Sequence, residues 1–314
     1  MSVIRLLCTS LTLCSVIGCA SSTVSLWSVD REEQGRYSFQ EEHRWGSRSI
    51  AAVPAHPGPC DPSYPLRLCS NSEGQYVILW ADGRCVRYQW SEPHGLVAHA
   101  MDVGGSVCGA AWSSDGSRLA LVVRDDASYQ LVVCSKLGEE QARIPIALPE
   151  SACPPEERCR SLCAVSWNKS GRLVLVSTST SAATRRSAWP RSTRLVSLDE
   201  GAVIGQWAWS DSFFVGEQTL VARMGDQGVV QCEITVNGRE VVVDSQVSLG
   251  VPFAPEDSIP QKSVFVYRAP MNSLLFDPKM ARGHVILCDT TSGARRRLSQ
   301  DMLLVTPICI LGKP

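Results

Sequence analysis

The sequence predicts an all-β fold, a single β-propeller of four-stranded antiparallel blades. Three observations carry this. First, a unit of apolar strand, polar turn and apolar strand recurs along the chain, with turn glycines Gly74, Gly116 and Gly171 set 42 and 55 residues apart. Second, the strands are short, rich in Val, Ile and Leu, and bounded by Gly, Asp, Asn and Ser. Third, Arg118–Val123 (RLALVV) is apolar at consecutive positions instead of alternating. Such a strand is covered on both faces, and sheets stacked around an axis supply that cover.

The chain begins with Met1–Arg5, a short positive stretch, followed by the uncharged, mainly apolar Leu6–Gly18. Thirteen residues at about 1.5 Å each are too few to cross roughly 30 Å of hydrocarbon. They suit the apolar core of a signal peptide. Val16-Ile17-Gly18-Cys19 resembles a bacterial lipobox, two aliphatic residues and a small one before cysteine. That resemblance implies cleavage before Cys19 and lipid attachment to its thiol. Residues 1–18 are then a lipoprotein signal, 19–23 a short tether and 24–314 the propeller. The implied location is a membrane-anchored lipoprotein of the bacterial envelope, on the outer membrane in a Gram-negative cell because Ala20 is not aspartate. The alternative is an ordinary secretory signal that leaves a secreted propeller.

The repeat is best seen in Val107–Val123 (VCGAAWSSDGSRLALVV) and Leu162–Ser177 (LCAVSWNKSGRLVLVS). Leu68–Trp80 repeats it without the tryptophan, and Gln206–Arg223 is a looser copy. Second hairpins follow at Tyr129–Glu140, Ser192–Ala202, Val229–Glu240 and His284–Arg295. Asp115-Gly116 and Asn237-Gly238 suit tight turns that need positive φ. Cys134, Cys232 and Cys288 sit at equivalent places before the turn and read as small core residues. The W-S-x-D-G-x-x-L-A pattern at Trp112–Ala120, met again in degenerate form at Trp167-Asn168-Lys169-Ser170-Gly171, resembles the TolB-type propeller repeats, relatives of WD repeats. The resemblance implies fold and says almost nothing of function.

Full blades are expected at 66–101, 103–148, 161–205, 206–248 and 262–300. Val24–Phe39 reads as the second hairpin of a blade and Met302–Leu311 as a strand without partners. Together they make a blade split between the termini, six in all, with five and seven as alternatives; closing the ring hides the edge strands. The long insertions 46–65, 149–160, 178–192 and 249–261 all fall at one end of such a ring. Long loops on a rigid scaffold are where binding usually resides.

Composition limits the partners. Hydrophobic content of 44% and charged content of 19% describe a globular chain. A net charge of −1 gives no basic surface for nucleic acid, so no nucleic-acid partner is expected. Of 14 cysteines, Cys8, Cys14 and Cys19 belong to the head, and the odd number left cannot all pair. Cys153, Cys159 and Cys163 lie close together without a CxxC pair or a nearby histidine. They read as one local disulfide plus a buried thiol, not as a metal site. Arg185, Arg186, Arg191 and Arg194 around Trp189 are the binding candidates, since arginine with tryptophan recurs at binding hot spots. Arg295-Arg296-Arg297 reads as a solvated strand face.

No catalytic residue, metal or cofactor is expected. The five histidines form no HExxH, Gly104–Cys108 fails GxSxG at its last position, and there is no phosphate-binding glycine loop. The function expected is a lipid-anchored envelope propeller that binds an envelope protein or cell-wall component through its long-loop face. The alternative is a propeller enzyme acting on envelope glycans through an axial carboxylate/histidine site, which no linear motif would reveal.

Overall fold

The computed structural model describes residues 24–31, 36–44, 46–53, 65–80, 83–91, 95–125, 128–148, 163–178, 191–224, 228–237, 240–251, 255–270, 282–299, 302–303, 306 and 308–312. They form six antiparallel sheets, each a meander in chain order. β1 (Val24–Arg31), β2 (Tyr37–His43) and β3 (Gly46–Ala52) supply three strands of the first blade. The second holds β4 (Pro65–Ser70), β5 (Gln75–Trp80), β6 (Cys85–Ser91) and β7 (Gly95–Met101). The third holds β8 (Ser106–Trp112), β9 (Arg118–Arg124), β10 (Tyr129–Ser135) and β11 (Glu140–Ile146). In the fourth are β12 (Cys163–Trp167), β13 (Leu173–Thr178), β14 (Thr193–Ser197) and β15 (Ala202–Trp207). In the fifth are β16 (Ser210–Phe214), β17 (Thr219–Arg223), β18 (Val229–Asn237) and β19 (Glu240–Val251). The sixth holds β20 (Pro255–Ile259), β21 (Val264–Pro270), β22 (Arg282–Asp289) and β23 (Arg295–Arg297), with the short β24 (Met302–Leu303) paired to β22. β25 (Ile308–Gly312) then returns to β1 as the innermost strand of the first blade, with Leu26 opposite Ile310 and Val24 opposite Gly312.

The innermost strands β4, β8, β12, β16, β20 and β25 touch their neighbours in that cyclic order, so the ring is closed. The protein is a six-bladed propeller with its first blade shared three strands to one between the chain ends. Among the described residues the sole helical element is a 3-10 turn at Pro260–Lys262.

The core is six apolar layers, one per blade interface. Val77 and Leu79 meet Leu119 and Leu121 between blades two and three. Val122 and Val133 meet Val165, Trp167 and Val174 between three and four. Leu26 and Ile310 meet Val266 and Leu287 where the last blade meets the first. This is why β9 is apolar between its terminal arginines: Leu119, Leu121 and Val123 serve one interface, and Ala120 and Val122 the next. Gly109 lets two inner strands approach, since a Cβ there would lie 2.6 Å from the Cys163 carbonyl oxygen.

Backbone partners cross the interfaces as well. Trp167 Nε1 donates to the Ala111 carbonyl at 2.9 Å, and Arg118 sits over the Trp167 ring at 5.0 Å. Ser166 Oγ accepts the Phe214 N–H at 2.8 Å. An inner strand pairs on one edge alone, and these side chains satisfy the other edge.

The architecture departs from expectation in three places. Val24–Phe39 contributes strands two and three of its blade, not three and four. The outermost strand β3 lies inside the expected insertion 46–65, and the inner strand β20 inside 249–261. Both strands are polar and read as loops. β3 is an outer edge strand with Ser47, Arg48 and Ser49 exposed. β20 borders the axis, where charged side chains find partners.

Candidate functional site

The meander fixes two faces. The first and third turns of every blade lie at one end of the ring, and the second turns and inter-blade links at the other. The first turns are short at 71–74, 113–117, 168–172, 215–218 and 260–263. The longest connections are the links 53–64 and 147–162 and the second turns 179–192 and 271–281. The strands flanking all four end at the second-turn face. Val24 and Gly312 stand opposite one another at the first-turn face, so the N-terminal segment enters there.

An axial cavity of about 300 Å³ is lined by inner strands and reaches the first turns through Ser72, Ser114 and Lys262. Its wall includes Arg67 from β4, Ala110 from β8, Phe213 from β16, Asp257 from β20 and Ile310 from β25. Asp257 Oδ2 accepts the Ile310 N–H at 2.8 Å, and its Oδ1 accepts the Ser258 N–H at 2.8 Å. Burial pushes the Asp257 carboxyl up to about 7, against the two N–H bonds and the nearby Arg67 guanidinium, which favour the ionised form. Glu256 pairs with the buried Arg268 at 2.8 Å, and Arg268 also donates to the Thr306 carbonyl. These two carboxylates are structurally engaged, and no histidine is among the lining residues described. His99 lies on β7 and His284 on β22, away from the innermost strands.

The second-turn face carries a different feature. Trp207, the last residue of β15, and Trp209, in the link that follows, stack with ring centroids 5.2 Å apart and planes 10° from parallel. Residues two apart in extended chain face the same way. Gly205 makes the room, since a Cβ there would meet the Trp207 ring at 2.7 Å. The pair rests on an apolar cluster that includes Leu195, Phe214 and Leu220, and both residues are partly buried. Thr193 Oγ1 donates to the Trp209 carbonyl at 3.1 Å.

Arg194 lies in β14 and not in the loop, opposite Gln206 of β15 and so on the other face of the sheet from the Thr193–Trp207 pair. Its Nη1 donates to Ser192 Oγ at 2.6 Å and to the Thr193 carbonyl at 3.2 Å, and burial lowers its pKa. Arg191 precedes it in the described chain. Arg185, Arg186 and Trp189 lie outside the described residues, as do Cys19, Cys153 and Cys159. Cys163 is a fully buried free thiol in the inner strand β12. Gln206–Ser210 (QWAWS) reads as ordinary strand, and the spacing of two between Trp207 and Trp209 is its one signal of a stacked pair. Among the described residues no cluster of His, Cys, Asp and Glu could hold a metal ion.

No protein-family model matches the sequence, and no curated protein does. Solved structures do match by fold. TolB from Acinetobacter baumannii aligns with a TM-score of 0.56 at 10% identity, over 93% of this chain and 67% of that one. A protein of unknown function from Bacteroides caccae gives 0.54 at 12% identity, over 92% and 99%. A structure from Agrobacterium tumefaciens ascribed to TolB gives 0.52 at 12%, over 89% of each chain. At these identities the likeness is one of fold, and this chain has a TolB-like six-bladed propeller fold.

Proposed function

We propose that this chain is a cell-envelope binding and scaffold protein, tethered by lipid at Cys19 and engaging an envelope protein or cell-wall component through its second-turn face. The observation that carries the reading is the opposition of the two faces. The chain enters at the first-turn face beside Gly312, while the strand ends that flank the long connections and the Trp207–Trp209 pair lie at the other. A tether on one face leaves the opposite face presented away from the membrane. Stacked, partly buried tryptophans at a strand end supply a residue type that dominates binding energy at interfaces. The TolB-like fold supports a binding role in the envelope.

The test has two independent arms. Radiolabelled palmitate and membrane fractionation compare wild type with Cys19→Ser, and lipid attachment predicts label and membrane retention in wild type alone. Crosslinking in intact cells then compares wild type with a Trp207→Ala, Trp209→Ala double variant. Loss of the crosslinked species in the variant is expected. The same species at the same yield removes the second-turn face from the reading.

A further inference from the structure

Each blade ends in an outermost strand with one edge that no described strand pairs. Such an edge invites a further strand, and proteins ordinarily guard it with charge, proline, a bulge or brevity. Most of these edges are guarded. β3 contains Arg48 and breaks register against β2. β11 contains Glu140, Arg143 and Pro145 and breaks register against β10. β15 contains Gly205 and breaks register against β14. β19 contains Glu240 and Asp244 and breaks register against β18. β23 is a short run of arginine. β7 is the exception. It has no Asp, Glu, Lys, Arg or Pro, and all 7 of its residues pair with β6 in unbroken register.

β6 and β7 also share an apolar face. Val86, Tyr88 and Trp90 stand opposite Ala100, Ala98 and Leu96, and strand residues two apart point the same way. Val86 and Tyr88 are buried in the layer against the first blade, with Leu96 and Ala98 packed on it. The margins of this face are uncovered. Ala100 is exposed, and Trp90, at 50%, is one of two large apolar side chains exposed among the described residues.

From this we infer that β7 pairs antiparallel with β7 of a second copy, joining two four-stranded blades into one sheet about a two-fold axis at Ala98. Symmetry selects the second copy as occupant. A two-fold axis perpendicular to a sheet keeps like faces on the same side, so the apolar face continues into itself. Centred on Ala98, Leu96 meets Ala100 of the second copy and Val97 meets its His99. Each exposed Ala100 then lies in one row with Leu96 and Trp90 of the other copy, which covers both margins. No charge opposes a like charge, whereas arginine would meet arginine at the centre of β11 or β23. The ladder is short, so the dimer belongs with the transient interfaces that bury less than about 1,200 Å².

Sedimentation velocity of the full chain in reducing buffer tests it, and raising the concentration from about 10 μM to about 1 mM should shift monomer to dimer. Ala100→Lys should raise the dissociation constant about tenfold, because the lysine would be pressed against Leu96 and Trp90 of the second copy. Ala100 is exposed, so its replacement leaves the fold intact, as a circular dichroism melt will verify. Disulfide trapping, read by peptide mass spectrometry, reports the register. Ala98→Cys stands at the axis and should trap a dimer through position 98. Ala100→Cys should not trap one through position 100, since those two positions lie four residues, about 14 Å, apart. A chain that stays monomeric at about 1 mM overturns the second copy as occupant, even if β7 takes up an extended peptide from another protein. A dimer that Ala100→Lys leaves unchanged overturns the β7 edge, and equal trapping by the two cysteine variants overturns the axis at Ala98.

Discussion

The Asp257 carboxylate accepts the Ile310 backbone N–H at 2.8 Å and so joins the inner strand of the last blade to the strand that closes the ring. β25 is short, and it is held on one edge by β1 and on the other by contacts of this kind. A carboxylate in that place couples ring closure to proton uptake. Its folded value is about 7, whereas an unfolded aspartate titrates at about 3.9. Between those values the folded state holds the proton and the unfolded state does not. The contribution to stability is therefore full below about pH 4 and is lost as pH rises through about 7.

Asp257→Asn removes that titration and keeps an oxygen to accept the Ile310 N–H. The melting temperature of the variant, relative to wild type, should rise steadily between about pH 4 and pH 7.5. Other titrating groups cancel in the difference. A difference that stays constant across this range assigns the pH dependence elsewhere.

Gly109 tests how closely the inner strands approach. A Cβ there meets the Cys163 carbonyl oxygen at 2.6 Å and Val165 Cγ2 at 2.8 Å. The first is backbone of the neighbouring blade and cannot rotate away. Gly109→Ala should cost about 1–3 kcal/mol, read from the urea midpoint, because overpacking forces backbone shifts. Gly293, with open space around its Cβ position but φ of +70°, is the control for backbone strain without crowding.

Trp167 ties two blades through one hydrogen bond. Trp167→Phe keeps most of the ring but leaves the Ala111 carbonyl without its 2.9 Å donor. A loss of about 1–3 kcal/mol is expected for the orphaned group. Trp167→Ala should cost about 3–5 kcal/mol, the range for emptying a large buried ring site. The gap between the two variants separates packing from the hydrogen bond.

Much of this fold was legible because the repeat is written in apolar residues. Trp112 and Trp167 mark the same strand end in successive blades, and Gly116 and Gly171 the same turn, with φ of 71° and 70°. β3 and β20 do not read as strands because their sequences are polar, and the polarity has a physical reason. β20, PEDSI, needs no apolar face toward the axis, and its Glu256 and Asp257 are satisfied by Arg268 and Ile310. β3, GSRSIAA, is an outer strand that shows one edge to solvent. The axial wall draws short pieces of six strands spread from Arg67 to Ile310, so no linear motif contains it. The Trp207–Trp209 pair was readable as a spacing, but stacking depends on Gly205 leaving room for the ring.

The cysteines give the last prediction. Cys134, Cys232 and Cys288 occupy equivalent third strands, and all three are buried, in line with their reading as small core residues. Burial pushes the Cys134 and Cys232 thiols up to about 11. At pH 8 roughly a thousandth of such a thiol is ionised, against roughly a quarter for a free cysteine near 8.5. The thiolate is the species that reacts. Iodoacetamide at pH 8 should leave both residues unmodified in the native protein and modify them fully in urea, as read by peptide mass spectrometry. Native labelling of either at the rate of an exposed thiol would show that β10 or β18 opens readily, and would contradict the register that buries them between blades.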